Sequence, residues 1–200
     1  MIYRIPMGCI RITSGKLKGR KVITPEGEET RPLLTRLRKS LADMLRPALK
    51  DTQVLDLFGG SGAIAFELIS NGAARAVIIE INPGTAGLIN ENAIKLGIDA
   101  SVEVFHGNGV EAISRLALRG EKFDTIMVAP PYGQRLQQKA LDVLGDCSLL
   151  ASGGLVVVQR EEKEPAAQAS GRLYLVRTRS YGRTVFDFYK EKTSPPSCTS

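Results

Sequence analysis

The chain has 200 residues, 43% of them hydrophobic, with 27 Lys/Arg against 21 Asp/Glu. That is enough for one globular domain with a sizeable core, it is too apolar for a disordered chain, and no apolar run approaches bilayer length. The charge is uneven: residues 1–50 carry twelve Lys/Arg against four Asp/Glu, and the remainder fifteen against seventeen.

A nearly neutral body behind a basic front suits a polyanion met through the N-terminal segment, although a solvated basic hairpin would look the same. Cys9, Cys147 and Cys198 are scattered and imply neither a disulfide framework nor a metal site. With an opening, "MIYRIPMGCI", that lacks a long apolar region, a reducing cytoplasm is the expected home.

In chain order, residues 10–24, "IRITSGKLKGRKVIT", read as a Gly-punctuated basic hairpin, and 31–47 as a basic amphipathic helix. From residue 51 apolar runs alternate with longer amphipathic stretches. Strands are expected at 53–58, 76–81, 101–107, 123–128 and 154–160. Helices are expected between them, closed by Gly72, Gly97 and Gly120, with the last over 134–150. Continuous apolar strands separated by helices predict a parallel sheet covered on both faces. After the loop "EEKEPAAQASG", the segments at 172–180 and 184–190 flank "YGR" as an antiparallel pair. The fold class expected is therefore α/β: Rossmann-like, doubly wound, with a mostly parallel seven-stranded sheet. It carries an antiparallel C-terminal hairpin and a basic N-terminal hairpin-helix extension. The division expected is 1–50 for that extension, 51–192 for the main domain and 193–200 for a disordered tail.

The first strand runs into "DLFGGSGAIAFE" at 56–67. Glycines there let backbone approach a ligand at a helix N-terminus. Gly60-x-Gly62-x-x-Ala65, with Glu80 twenty residues after Gly60, also fits a loose dinucleotide fingerprint, so a nicotinamide oxidoreductase is a rival. Asp56 argues otherwise, because a carboxylate before the glycines repels a pyrophosphate. It suits an amine-bearing nucleoside such as S-adenosylmethionine (SAM), with Glu80 on the ribose hydroxyls and the loop "HGNGV" at the adenine. Structural strand-end acids that cap helices remain the plainer alternative. His106, the only histidine, reads as strand-end packing.

The order "VLDLFGGSG", "VIIE", "HGN", "FDTIMVAPPY" resembles class I SAM-dependent methyltransferases that act on exocyclic amines. With "RITSGKLKGRKVITP", "TRPLLTRLRKSLADML" and "YGRTVFDFYK", residues 10–190 are similar to the bacterial RsmD family. That family methylates the N2 amine of a guanine in 16S ribosomal RNA. The resemblance implies SAM binding by Asp56, Phe58, Gly59, Gly60, Ser61, Gly62 and Ile81, with Glu80 at the ribose and Asn108 and Gly109 at the adenine. It implies RNA contacts from Arg11, Lys16, Lys18, Arg20, Lys21, Arg31, Arg36 and Arg38. It implies a substrate met within a small ribosomal subunit or an assembly intermediate, by a protein for which monomer is the default.

The catalytic stretch implied is Ala129, Pro130, Pro131 and Tyr132. The family's motif usually begins with Asp or Asn, whose side chain and the first proline's carbonyl accept from the amine and favour its rehybridisation. Here Ala129 keeps the stiff turn, the Pro130 carbonyl and the Tyr132 ring but lacks a side-chain acceptor. A lost transition-state hydrogen bond costs about 10²–10³-fold in rate. A SAM- and RNA-binding protein with little catalysis therefore stays beside the enzyme reading, as does an amine methyltransferase acting on DNA adenine or another RNA. Asn108 also departs from the usual Asp.

Overall fold

The structure, a computed structural model, describes residues 7–25 and 32–192. The expected tail over 193–200 lies outside them. The chain divides into two compact units between Ala112 and Ile113. One sheet of seven strands has the order β5-β4-β3-β6-β7-β9-β8, and a separate two-stranded sheet is β1-β2.

In the first unit, β1 (Met7–Arg11) and β2 (Lys21–Pro25) pair antiparallel from Met7↔Pro25 to Arg11↔Lys21. Helix α1 (Pro32–Leu45) passes into a single 3₁₀ turn at Arg46–Ala48, where Pro47 removes an amide that a further α-turn would use. Strands β3 (Gln53–Asp56), β4 (Arg75–Glu80) and β5 (Val102–His106) run parallel. Their connections are α2 (Ala63–Ser70) and α3 (Pro83–Leu96). The central strands are buried because their runs are apolar on both faces: Val54, Leu55 and Ala76 to Ile79 are all inaccessible or nearly so. Strand β5, at the sheet edge, is only half-buried, and Glu103 there pairs with Arg75 of β4 at 2.6 Å. Each strand ends one or two residues earlier than the apolar run suggests. β3 stops at Asp56, because Phe58 and the glycines turn away to form the loop before α2.

Helix α4 (Gly109–Leu118) leads into the second unit, with β6 (Phe123–Val128), α5 (Leu136–Asp146), β7 (Leu150–Glu161), β8 (Leu173–Tyr181) and β9 (Thr184–Glu191). β6 and β7 are parallel; β9 pairs antiparallel with both β7 and β8. The core is Ile126 to Val128, Val156 to Val158, Phe186, Phe188 and Tyr189. The helix expected over 134–150 is shorter, and β7 begins at Leu150 rather than 154. Cys147 is already extended (φ −99°, ψ 140°), and Leu150 pairs with Phe123. Between that pair and Thr125↔Leu155 the ladder bulges, with Gly153 at φ 77°. Glycines that read as a break before a strand lie inside one.

Candidate active site

The carboxyl ends of β3 and β4 carry the two acids. Asp56 closes β3 and is 1% exposed; its Oδ1 accepts from the Phe58 amide at 3.3 Å. Glu80 closes β4 and is also buried. Its Oε2 accepts from the Gly60 amide and its Oε1 from the Asn82 amide, each at 2.8 Å. The glycine turn is therefore clamped to the next strand, and Gly59 adds a backbone bond to Ile79 O at 2.8 Å. Gly62, the residue before α2, sits at φ 76°, a conformation few side chains tolerate. At Gly59 a Cβ would lie 2.4 Å from Ile78 Cγ2. At Gly62 a Cβ would lie 3.0 Å from the Phe66 ring, so both glycines let the turn pack closely on the elements behind it. Ser61 is buried and Phe58 half-buried in the same turn.

Asp56 Oδ2 is buried and has no hydrogen-bond partner among the described residues. Burial pushes its carboxyl up to about 7; the Phe58 amide opposes that rise and the nearby Glu80 charge adds to it. A buried carboxylate with one oxygen unanswered is either protonated or waiting for a cation. The donor chemistry of this set fits a ligand with a cationic amine at one end and vicinal hydroxyls further along. In such a ligand the amine would match Asp56, and the hydroxyls would match the lone pairs Glu80 does not spend on Gly60 and Asn82. It fits a pyrophosphate poorly, since the two acids flanking the loop repel its charge.

Beyond β5, Asn108 caps α4: its Oδ1 accepts from the amides of Val110 (2.9 Å) and Glu111 (3.4 Å). The Asp usual in the family would offer an oxygen at this position, whereas here the Asn108 oxygen is turned to the helix start. Committed to the cap, it leaves the carboxamide NH₂ as the group Asn108 holds out, a donor that matches a ring nitrogen. Gly109 is buried, and a Cβ there would lie 1.9 Å from Leu57 O, so only glycine lets α4 start this close to the β3 loop. Ile81 is 68% exposed beside Glu80, a bare apolar surface at the end of β4. His106, expected to pack at its strand end, is exposed there, and its Nε2 bonds Ile81 O at 3.0 Å.

In the second unit, β6 stops at Val128 and the stiff turn follows. Pro130 is buried, Pro131 is exposed and Ala129 lies between these extremes. Tyr132 is 44% exposed, yet its hydroxyl is anchored: Gln159 Nε2 donates to it at 3.1 Å, and Thr184 Oγ1 lies 3.5 Å away. The next residue, Gly133, donates to Glu164 Oε1 at 2.5 Å, and Glu164 Oε2 also accepts from Gln137 (3.2 Å) and the Glu161 amide (2.9 Å). Three partners, Gln159, Thr184 and Glu164, thus fix the loop and leave the Tyr132 ring partly exposed. Sequence reasoning missed Gln159, Glu164 and Thr184, which lie outside any motif.

The basic residues divide. Arg38 is spent on structure: its side chain is 11% exposed, 3.8 Å from Glu67, and it donates to Arg11 O at 3.3 Å. Burial lowers the Arg38 pKa and raises that of Glu67. Arg11 and Arg20 donate to Gly19 O (2.8 Å) and Lys95 O (2.6 Å) while staying exposed. Lys16, Lys18, Lys21 and Arg36 are exposed too. Arg31 lies outside the described residues. Lys16 and Lys18 stand at the C-terminal end of α2, eight residues and about 12 Å of helix from Gly62. The structure therefore does not bring them to the glycine turn.

Comparisons with known proteins follow this geometry. A family described as conserved hypothetical protein 95 matches residues 10–190. The chain is 30% identical over 190 residues to ribosomal RNA small subunit methyltransferase D of Escherichia coli, covering 95% of this chain and 94% of that protein. It is 30% identical over 155 residues to the protein of the same name from Buchnera aphidicola, covering 78% and 80%. The solved structure of yhhF from Escherichia coli superimposes with a TM-score of 0.81 at 28% identity, covering 94% of this chain and 100% of that one.

Proposed function

This chain belongs to the RsmD family, described as conserved hypothetical protein 95, and on that premise we propose that it is a SAM-dependent methyltransferase acting on the N2 amine of a guanine in 16S ribosomal RNA. The observation that carries the reading is Asp56: a buried acid with one unanswered oxygen, heading a glycine turn clamped by Glu80. Bound SAM supplies a methyl group on a sulfonium, which needs no activation by the protein.

What the chain does is hold and align. Asp56 accepts from the cofactor's ammonium, and the Phe58–Gly62 turn lets it approach bare backbone. Glu80 would hold the ribose, and Ile81, Asn108 and Gly109 would bind the adenine end. Alignment of the amine for in-line attack is the main catalytic contribution. Tyr132, fixed by Gln159, stacks on a guanine taken out of its helix. The Pro130 carbonyl accepts from the N2 amine, frees its lone pair from the ring and stabilises the positive charge as it develops; the proton released goes to solvent.

Residues 1–50 serve as the RNA-contacting extension and 51–192 as the methyltransferase domain. Arg11, Lys16, Lys18, Arg20, Lys21, Arg31 and Arg36 meet phosphates there, positioning RNA without reading its sequence. The substrate is a small ribosomal subunit or an assembly intermediate, met by a cytoplasmic monomer. Ala129 favours a second reading, a SAM- and RNA-binding protein of weak catalysis. The test is methyl transfer from labelled SAM to small subunits lacking native guanine methylation, with the modified nucleoside identified by mass spectrometry. N2-methylguanosine at one site is expected. SAM binding without transfer supports the second reading, and methyladenosine would sink the guanine assignment.

A further inference from the structure

Away from the glycine turn, the C-terminal end of α2 borders an open pocket of about 690 Å³. Thr13 to Lys16 and Lys18 line it from the hairpin loop, Lys39 and Arg46 from α1 and its 3₁₀ turn, and Ser70 to Gly72 from α2. Four of these side chains are cations. Asp43 answers Lys39 (2.6 Å) and Arg46 (2.5 Å), and among the described residues no acid pairs with the ammonium groups of Lys16 and Lys18. We propose that this pocket is a phosphodiester-binding site for the RNA substrate, separate from the cofactor site and built from three elements rather than from the hairpin alone. Only the choice of RNA as the anion's source rests on the function proposed above.

The frame of the pocket is preorganised well beyond what a solvated hairpin needs. Thr13 donates to Glu67 through both its amide (2.7 Å) and its hydroxyl (3.0 Å). The Lys16 amide donates to Ser70 O (2.8 Å) and the Leu17 amide to Ser70 Oγ (2.9 Å), while Ser70 Oγ donates to Ser14 O (2.5 Å). Gly15 is at φ 77°, and a Cβ there would lie 1.9 Å from Ser70 O, so the loop sits flush on the helix end. Asn71 is fully used: Nδ2 donates to Ser14 Oγ (2.9 Å) and Glu67 O (2.7 Å), and Oδ1 accepts from Arg46 Nε (3.0 Å). Ser14 Oγ, which accepts from Asn71, keeps its own proton to donate. A loop fixed this way loses little freedom when it binds, so its cations act at low entropic cost.

A helix C-terminus is electronegative, which by itself would repel an anion. Neither α1 nor α2 carries a basic residue in its last turn; the cations come from the hairpin, from Lys39 within α1 and from the 3₁₀ turn instead. Their charge outweighs one carboxylate and the fractional dipole charge, and ammonium groups are suited to phosphate as point charges. With about 12 Å of helix between pocket and glycine turn, one nucleotide does not reach both, so the pocket acts on RNA affinity rather than on the chemical step.

The test compares the native protein with the double variant Lys18→Glu/Lys39→Glu, and with Lys139→Glu as a charge reversal outside the pocket lining. Binding of a labelled small-subunit RNA transcript is measured at several salt concentrations, SAM affinity by calorimetry and folding by thermal melting. The expected result for the double variant is at least a tenfold weaker RNA Kd and a salt slope shallower by about 1 or more, with SAM affinity and melting retained. Native Kd and slope in the double variant would overturn the proposal, as would an equal loss in Lys139→Glu, which would mean net charge alone. Saturation of the pocket by inorganic phosphate at micromolar concentration, seen by NMR, would overturn RNA as the source. RNA that binds the native protein through these lysines but is never methylated leaves the pocket standing and removes the enzymatic reading instead.

Discussion

Two buried aspartates, one in each unit, face opposite situations. Asp187 in β9 is inaccessible and fully spent: Arg160 Nε reaches one oxygen at 2.6 Å and Thr178 Oγ1 the other at 2.6 Å. Asp56 in β3 is as deeply buried, yet among the described residues it has a single long contact from Phe58 and one oxygen with none. The first carboxylate is complete within the fold. The second becomes complete only by taking a proton or a cationic ligand, and burial holds its pKa at about 7 so that either is within reach near neutral pH. A buried acid therefore marks a binding site when its partner count falls short, and mere burial does not distinguish the two.

Variants can sharpen or break that contrast. The largest loss is expected from Asp187→Ala, which leaves Arg160 buried without its partner. Breaking such a pair costs about 3–5 kcal/mol, so melting should fall by many degrees. Asp56→Asn should leave melting unchanged or raised, since it removes an unpaired buried charge, while SAM affinity drops by about 2–5 kcal/mol. Equal destabilisation in both variants would erase the distinction. Ala129→Asp should raise the rate of transfer by about 10²–10³-fold at little cost to SAM binding; an unchanged rate would mean that the Pro130 carbonyl already suffices. Tyr132→Ala should weaken RNA use by about 1–3 kcal/mol, and Tyr132→Phe by less, since only the anchor to Gln159 is lost. A Phe variant as poor as Ala would mean that the hydroxyl, not the ring, carries the contribution.

Much of the fold was legible because buried parallel strands leave continuous apolar runs and helix ends leave glycines. The glycine turn and its two acids were legible for the same reason, as strand-end residues at fixed spacing. Asn108 as a helix cap was also readable: Asn108 with Glu111 three residues on is a helix-start pattern. The pairing of Arg38 with Glu67 was not, because the two lie on different helices 29 residues apart and each alone reads as a surface charge. The hairpin loop of nine residues between β1 and β2 was read as punctuation, whereas its bonds to Ser70 and Asn71 make it a docked segment. The early start of β7 was hidden by Gly153 and Gly154, which allow a bulge where they usually signal a break.

The central claim is that Asp56 awaits the cofactor's cation, and its pH dependence tests it most directly. Protonated Asp56 offers the ammonium no charge, so affinity should be full above about pH 7 and fall as pH drops through it. Without ligand the sign is reversed: a carboxyl raised above its ordinary value favours the folded state at low pH, and that stability is lost as pH rises toward 7. Calorimetry of SAM binding between pH 5.5 and 7.5 on the native protein and Asp56→Asn is the measurement. The prediction is a Kd that weakens by up to about tenfold per pH unit below 7 in the native protein and stays flat in the variant. A flat native profile, or the same slope in both proteins, would contradict it.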